Sequence, residues 1–211
     1  MTETQGIVLS ILPYRESDLI VKVITDKFGK ISLFASAARK SGKRFSGGLD
    51  IFSCGIFNLV KKGKGSLFTI ENFKSTKPLL FSREPDLLLP ASVLLEAVDA
   101  VLPEGQVNSL NEDFIDNEEQ HYFKIIKEGI NKFEELYKSK NLNSFLLDGG
   151  RIVFEGIRDL LILLGILEDS YDGKPSAKNL HALCIILEKN TNRKLKASTA
   201  FWNRLGEKHR P

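Results

Sequence analysis

The residues best suited to bind a charged ligand stand together in one short stretch of the chain. From Ala35 to Gly48 the sequence reads ASAARKSGKRFSGG, in which four cations, one phenylalanine and three glycines follow a run of small residues. Lysine and arginine displace the counterions that condense on nucleic-acid phosphates, and an aromatic ring offers a base a stacking surface. No recognition-helix pattern accompanies them, so the stretch predicts a nucleic-acid contact with little sequence preference. The alternative is a solvated basic loop whose phenylalanine belongs to the core.

The candidate residues of this stretch are Arg39, Lys40, Lys43, Arg44 and Phe45. A second cationic group stands in the sequence KKGKG and consists of Lys61, Lys62 and Lys64. Its glycines suit the tip of a hairpin, where a positive φ is needed. The group lacks the length and the following helix of a phosphate-binding loop, so we interpret it as a cationic hairpin tip.

Residue patterns that carry out catalysis or bind metals are absent from the sequence. It contains no GxSxG, HExxH or Walker-type motif, and no GxGxxG placed after a strand. The acid pairs Glu118-Glu119 and Glu134-Glu135 are adjacent rather than facing, as expected of solvated helix surfaces. Cys54 and Cys184 have no CxxC partner, and the three histidines lack ligand spacing. We therefore expect no enzymatic activity, no cofactor, no metal site and no disulfide framework.

The formal net charge of +3 hides an uneven distribution of charge along the 211 residues. Residues 1–80 contain 13 lysines and arginines against 6 acids, whereas residues 81–211 contain 17 against 21. A basic first part followed by a mildly acidic remainder predicts two units with different partners, the first partner being polyanionic. The hydrophobic content of 42% is typical of a globular protein. No apolar run approaches the ~20 residues of a membrane span and the N-terminus is polar, so we expect a cytoplasmic protein without a membrane partner.

The pattern of the first 80 residues is that of short β-strands separated by glycine-containing turns. Polar and apolar residues alternate in LIVKVIT at 19–25, and DKFGK at 26–30 supplies a glycine for a hairpin. The predicted strands are Gly6–Leu12, Leu19–Thr25, Ile31–Ala37, Ile51–Lys61 and Ser66–Lys74. Five short strands hide their edges most economically by closing into a small barrel. Their count and lengths predict a five-stranded oligonucleotide-binding (OB) barrel, with an SH3-like barrel as the alternative.

After Pro78 the apolar residues recur at spacings of three and four, which predicts helices. The predicted helices are Pro85–Leu102, Asp113–Lys140, Arg151–Leu167, Pro175–Asn190 and Ser198–Leu205, with Gly149-Gly150 as a break before the third. The predicted fold class is therefore α+β, with an OB-type barrel in residues 1–80 and an all-α domain in residues 81–211. Trp202, which follows Phe201, is expected to pack in the core or to line a pocket for a partner peptide.

The N-terminal sequence resembles that of the bacterial RecO family of recombination mediators. The resemblance is carried in order by GIVLS at 6–10, PYRESD at 13–18, TDKFGK at 25–30 and ARKSGKRFSGGL at 38–49, with a weaker likeness in ENF at 71–73. It implies an OB barrel on a helical domain, non-enzymatic binding of single- and double-stranded DNA, and annealing of complementary strands on the nucleoid. It also implies partnership with RecR and with the acidic C-terminal tail of the single-strand-binding protein, in order to help load the RecA recombinase during repair.

The resemblance further implies a cationic DNA-binding face that includes Arg15, Lys27 and Lys30 in addition to Arg39, Lys40, Lys43 and Arg44. Many family members carry a four-cysteine zinc module near the position of residues 147–151. This chain has two cysteines and cannot build that site, so we expect a helical domain with no zinc module.

The resemblance does not identify the residues that would bind the partner tail, but the chemistry of the tail suggests candidates. An acidic tail that ends in an aromatic residue requires an apolar slot rimmed by cations. Two sets of residues meet this requirement: Phe201, Trp202 and Arg204 in the basic C-terminal stretch, and Arg151 with Arg158 on one predicted helix.

Two hypotheses of different classes follow. In the first, the barrel and its basic loops hold DNA backbones, and screening of phosphate repulsion lets complementary strands meet. In the second, the protein is an interaction adaptor: the barrel is structural, the helical half docks partners, and the basic loops serve solubility. A hydrolase is disfavoured because no set of carboxylates or metal ligands converges in the sequence.

Overall fold

A computed structural model describes residues 1–46, 48–61, 67–76, 79–103, 117–142 and 144–208. The chain divides into two compact units. The first contains Met1–Leu79 and Leu102–Phe123, and the second contains Leu80–Val101 and Lys124–Pro211. Within the described residues, no helix combines the length and apolar character needed to cross a membrane.

The described part of the first unit contains six strands that form one sheet. They are β1 (Thr2–Tyr14), β2 (Asp18–Thr25), β3 (Gly29–Ala35), β4 (Phe45–Ser46), β5 (Cys54–Val60) and β6 (Phe68–Ser75). Their order in the sheet is β3-β2-β1-β5-β6-β4, and a parallel pairing of β3 with β6 joins the two sides of the sheet. The five longer strands thus close into a barrel, and β4 adds a two-residue parallel pairing to β6.

This barrel confirms the predicted OB-type fold and the approximate positions of its five strands. Period-2 alternation turns one face of each strand inward, as in β2, where Leu19 and Val21 are buried between partly exposed neighbours. The inward residues form a single core. They are Val8, Leu19, Val21, Val23, Phe28, Ile31, Leu33, Ala35, Phe45, Phe57, Leu59, Phe68, Ile70 and Phe73.

Two glycines allow the strands to approach closely where β1, β5 and β6 meet. Gly6 of β1 pairs with Gly55 of β5, which in turn pairs with Ser75 of β6. A Cβ atom at Gly55 would overlap the backbone carbonyl oxygen of Lys74 and lie 2.6 Å from the Phe73 ring. The position therefore requires glycine for reasons of space, since neither backbone nor packed ring yields easily.

The described part of the second unit contains a 3-10 turn, Phe81–Arg83, followed by helices. These are α1 (Pro85–Val101), α2 (Asn117–Lys138), α3 (Phe145–Leu163), α4 (Ala177–Thr191) and α5 (Lys196–Lys208), and the part of α2 from Lys124 onward belongs to this unit. Helix α1 packs against α3 and α5, and α3 packs against α4. All five predicted helices are present, although the predicted start of the second at Asp113 lies outside the described residues.

The predicted helix break at Gly149-Gly150 is wrong. Helix α3 starts at Phe145 and runs through both glycines. A Cβ at Gly149 would lie 2.7 Å from the Pro90 ring of α1, and one at Gly150 would lie 3.2 Å from the Phe201 ring of α5. The helical cost of the two glycines, about 1 kcal/mol each relative to alanine, is offset because neighbouring helices pack directly on the bare backbone.

The start of the second unit is held by a buried carboxylate. The prediction that Glu134 lies on a solvated helix surface is wrong: it is 5% exposed in α2. Its Oε1 accepts hydrogen bonds from the backbone N–H groups of Leu80 (2.7 Å) and Phe81 (3.2 Å). The Phe81 ring packs against Phe133 with centroids 5.6 Å apart. One turn of α2 thereby positions the 3-10 turn that leads into α1.

A second carboxylate, that of Glu188 in α4, shapes the connection to α5. It accepts hydrogen bonds from Lys194 Nζ at 2.8 Å and from the Leu195 backbone N–H at 2.9 Å. Burial opposes ionisation of Glu188, but these hydrogen bonds and the charges of Lys194 and His181 outweigh it and lower the pKa of the carboxyl. Burial and the neighbouring Glu188 charge together raise the pKa of the Cys184 thiol to about 12.

Gly55→Ala is expected to destabilise the barrel by about 1–3 kcal/mol, because the added methyl group overlaps backbone and ring atoms. Native-state hydrogen exchange at the amides of β5 and β6 measures this loss. Gly42→Ala is the matched control, since no atom lies within 4 Å of the position of its Cβ. Equal exchange rates in the two variants would contradict the close approach at Gly55.

Glu188→Gln is expected to lower stability at neutral pH by about 1 kcal/mol, because it removes the charge from two hydrogen bonds. The lowered pKa means that the contribution of Glu188 is complete above the unfolded value of about 4.5 and is lost as the pH falls through the folded value. Urea unfolding followed by the fluorescence of Trp202, the single tryptophan of the sequence, measures both effects. Glu135→Gln, at an exposed position of α2, is the control and should leave the acid dependence unchanged.

Candidate nucleic-acid interface

The β1–β2 turn and the loop that follows β3 are joined by hydrogen bonds. Asp18 Oδ1 accepts from the Ala37 backbone N–H at 2.8 Å. The backbone N–H of Arg39 donates to the Ser17 carbonyl at 3.1 Å, and Arg39 Nη1 donates to the Glu16 carbonyl at 3.2 Å. These contacts bring together two segments that lie about 20 residues apart in the chain, and they fix where the loop carries its cations.

Four cations are exposed on these joined segments: Arg15 in the turn and Arg39, Lys40 and Lys43 in the loop. We name them the basic face. Arg15 adopts a left-handed backbone conformation with φ of 56°, as does Ala37 with φ of 50°. Two tight reversals thus present arginine and lysine side chains to solvent, where they are able to reach phosphate groups.

Arg44, unlike the exposed cations beside it, forms contacts within the loop. Its guanidinium donates to the Ser36 carbonyl through Nη2 and to Ser41 Oγ through Nε at 3.3 Å. It also lies over the Phe45 ring, 5.1 Å from the centroid. Arg44 is only partly exposed and closes the loop upon itself, so it supports the basic face from within.

The prediction that Phe45 offers a stacking surface is wrong. Phe45 is 3% exposed and belongs to the barrel core. It lies in β4, where it pairs with Phe73, and the Phe73 backbone N–H donates to the Arg44 carbonyl at 2.8 Å. The apolar ring is more stable in the core than in solvent. This outcome is the alternative stated in the sequence analysis, a basic loop whose phenylalanine belongs to the core.

Lys30 does not lie on a surface either, so its assignment to the cationic face is corrected. It is 1% exposed and pairs with Ile24 within the β2–β3 ladder. Lys27 is exposed in the β2–β3 turn, where its Nζ donates to the Glu3 carbonyl at 2.9 Å. The eight residues of β2 separate this turn from Arg15, a distance of about 25 Å at ~3.3 Å per residue.

The second cationic group is described only at its beginning. Lys61 is exposed after β5, and its Nζ lies 5.6 Å from the centroid of the Phe68 ring. Lys62 and Lys64 lie outside the described residues.

In the second unit, an apolar groove of about 150 Å³ opens between α3, the start of α4 and α5. It brings together Arg151 of α3 with Phe201 and Trp202 of α5, which the sequence assigned to separate candidate sites. Phe201 is 2% exposed and forms part of the floor. The Trp202 ring meets Phe201 edge-on at 4.9 Å and His181 at 5.3 Å, so its orientation is fixed. The other lining residues are Leu146, Leu147, Gly150, Pro175, Ser176, Ala177, Leu180 and Leu205.

The two remaining candidate partner residues form ion pairs within the chain instead of lining this groove. Arg158 donates to the carboxylate of its neighbour Asp159 at 2.7 Å, and Arg204 Nε donates to Asp86 Oδ1 of α1 at 3.0 Å. Leu146 and Leu147 line the groove but were not predicted to do so. They precede Gly149-Gly150, and the start of α3 was missed because that pair was interpreted as a break.

Comparison with known proteins shows what the barrel is similar to. The family described as "Recombination protein O N terminal" matches residues 1–79. Among curated proteins, "DNA repair protein RecO" of Syntrophus aciditrophicus is 38% identical over 98 residues, which is 46% of this chain and 38% of that protein. The protein of the same name from Alkaliphilus metalliredigens is 35% identical over 111 residues, which is 52% of this chain and 44% of that protein. The one from Listeria monocytogenes is 34% identical over 112 residues, which is 51% of this chain and 42% of that protein.

These matches span less than half the length of the relatives. They cover the barrel and the segments that carry the basic face. The barrel of this chain, residues 1–79, is therefore similar to the N-terminal part of the RecO proteins.

Proposed function

We propose that this chain is a non-enzymatic DNA-binding protein of recombinational repair. The observation that carries the proposal is the basic face, Arg15, Arg39, Lys40 and Lys43, held by hydrogen bonds on an OB-type barrel. The relatives are named DNA repair proteins, which supports a role in the same process.

The chemistry of the basic face suits DNA of any sequence. Arginine and lysine contact phosphates, which are identical at every nucleotide, so affinity arises from counterion release and carries no base information. Both single- and double-stranded DNA are expected ligands. By neutralising phosphates on two strands at once, the face lowers their mutual repulsion and promotes annealing of complementary sequences.

The apolar groove supplies the second half of the proposal. Its floor of leucines and Phe201 accepts an aromatic side chain. Arg151 at its margin donates to Asp148 Oδ1 at 3.2 Å, but it is 68% exposed and has further N–H donors for a ligand carboxylate. The acidic C-terminal tail of the single-strand-binding protein has this chemistry. We place that tail in the groove, and propose further that the protein acts with RecR to help load the RecA recombinase on coated DNA.

The groove also favours an alternative, in which the helical domain docks repair partners and the barrel is structural. The internal roles of Arg44, Phe45 and Lys30 agree with this alternative. The exposed cations of the basic face agree with DNA binding and give this alternative no support. We keep residues 1–80 and 81–211 as the proposed domains and a cytoplasmic, nucleoid-associated location for the protein.

Neutralising Arg39, Lys40 and Lys43 together as glutamine is expected to weaken DNA binding and to make it less dependent on salt. Each lost phosphate contact reduces the slope of log affinity against log salt by about 0.7 on single strands, so the triple change reduces it by about 2. Fluorescence anisotropy of a labelled oligonucleotide at several salt concentrations measures both quantities.

The control for this triple variant replaces three exposed lysines of the helical unit, Lys138, Lys140 and Lys189, by glutamine. It removes the same net charge from other surfaces and should keep the wild-type slope. Equal slopes in both triple variants would remove the basic face as the DNA contact and favour the adaptor hypothesis.

Arg151→Glu and Trp202→Ala are each expected to weaken binding of a synthetic acidic peptide with a C-terminal phenylalanine by at least tenfold. The first repels the carboxylates and the second removes one wall of the groove. Isothermal titration calorimetry measures the affinity. Arg158→Glu is the matched control, because Arg158 pairs with Asp159 away from the groove, and a comparable loss there would argue against this site.

A further inference from the structure

The β1–β2 turn presents an aromatic ring beside the basic face. Tyr14 is the last residue of β1 and is 42% exposed. Its ring meets Phe34 of β3 edge-on, with centroids 6.1 Å apart and planes at 85°. The guanidinium of Arg15 lies 5.2 Å from the same ring centroid. An exposed ring is thus held between a second ring and a cation.

Tyr14 continues an apolar row on the outside of the barrel. Leu12 pairs with Ile20, and Ile20 pairs with Phe34, across β1, β2 and β3. In β2 and β3 the residues on either side of Ile20 and Phe34 are buried, so Ile20 and Phe34 point outward, and Leu12 beside them is 61% exposed. A row of apolar side chains on the solvent side of a small barrel is not needed for its core.

The position of this row relative to the cations identifies its ligand. One residue separates Tyr14 from Glu16, whose backbone carbonyl accepts a hydrogen bond from Arg39 Nη1. At the other side of the turn, Asp18 accepts a hydrogen bond from the Ala37 backbone N–H. Ring and cations therefore lie on the same joined segments. A nucleic-acid strand with unpaired bases offers what both require, since phosphates match the cations and base faces match the ring. In a duplex the base faces are covered by their neighbours.

We infer that Tyr14, supported edge-on by Phe34, is the surface on which an unpaired base stacks when the basic face holds the adjoining phosphates. This inference rests on the proposed function and adds to it a preference for single-stranded over duplex DNA. Arg15 belongs both to the stacking surface and to the basic face, because its guanidinium lies against the Tyr14 ring and carries one of the four charges. The stacking role that the sequence assigned to Phe45 belongs to Tyr14.

Tyr14→Leu tests the inference, because leucine keeps an apolar contact with Phe34 and lacks an aromatic face. Affinities are measured by anisotropy with three labelled probes: a 20-nucleotide single strand, the corresponding duplex, and an abasic strand of equal length. The variant is expected to bind the single strand about tenfold more weakly than the wild type, in keeping with the loss of one stacked base. The duplex and abasic affinities and the salt dependence are expected to stay at wild-type values.

Two further variants separate stacking from folding. Tyr14→Phe keeps the ring and is expected to retain wild-type affinity for the single strand. Ile51→Ala changes another exposed apolar residue of the first unit, 41% exposed, and is expected to have no effect. Unchanged circular dichroism and thermal midpoint show that a variant is folded.

Failure of the inference is distinguishable from failure of the proposed function. If wild type and Tyr14→Leu bind the single strand equally while binding stays steeply salt-dependent, the basic face stands and the stacking role of Tyr14 is wrong. An equal loss on all three probes likewise overturns the inference, because Tyr14 would then act by shaping the basic face. If the wild type binds none of the probes at low salt, the proposed function itself fails, and the apolar row belongs to a protein partner.

Discussion

Closure of the barrel between β3 and β6 is the constraint on which the rest of the first unit depends. The parallel pairing is short and joins Leu33 with Phe68 and Phe34 with Thr69. Without it, β3 would have one open edge and the core residues of both strands would face water. Because the loop that carries Arg39, Lys40 and Lys43 begins where β3 ends, closure also determines where those cations lie.

The same residue types serve inside and outside the barrel, and backbone geometry decides between the two. Phe45 and Lys30 are buried in strands, where they pair with Phe73 and Ile24. Tyr14 and Arg39 are exposed because they lie where β1 ends and where the loop turns back on Ser17. Arg44 lies between these cases, since its charge is used to hold the loop. A basic surface therefore contains fewer free cations than its sequence suggests.

The two units carry surfaces of different physical character. In the proposed function, the basic face would act through charge, over a distance that the salt concentration determines, on ligands that need not fit closely. The groove lined by Arg151, Phe201 and Trp202 is mainly apolar, so it would act through contact with a ligand of matching shape, to which Arg151 adds one charge. In the proposed function, DNA and the partner tail therefore contact separate sets of residues.

The sequence by itself determined the strands, the helices and the basic stretch, because these depend on alternation, on three- and four-residue spacing and on local composition. It also indicated the resemblance of the barrel to the RecO family, since the motifs that carry this resemblance are local. Tertiary structure alone decided that Phe45 and Lys30 are buried, that α3 continues through Gly149-Gly150, and that residues of α3 and α5 share one groove. Each of these depends on contacts between segments distant in the chain. Spacing along a chain predicts which face of an element is apolar, but only packing shows what covers that face.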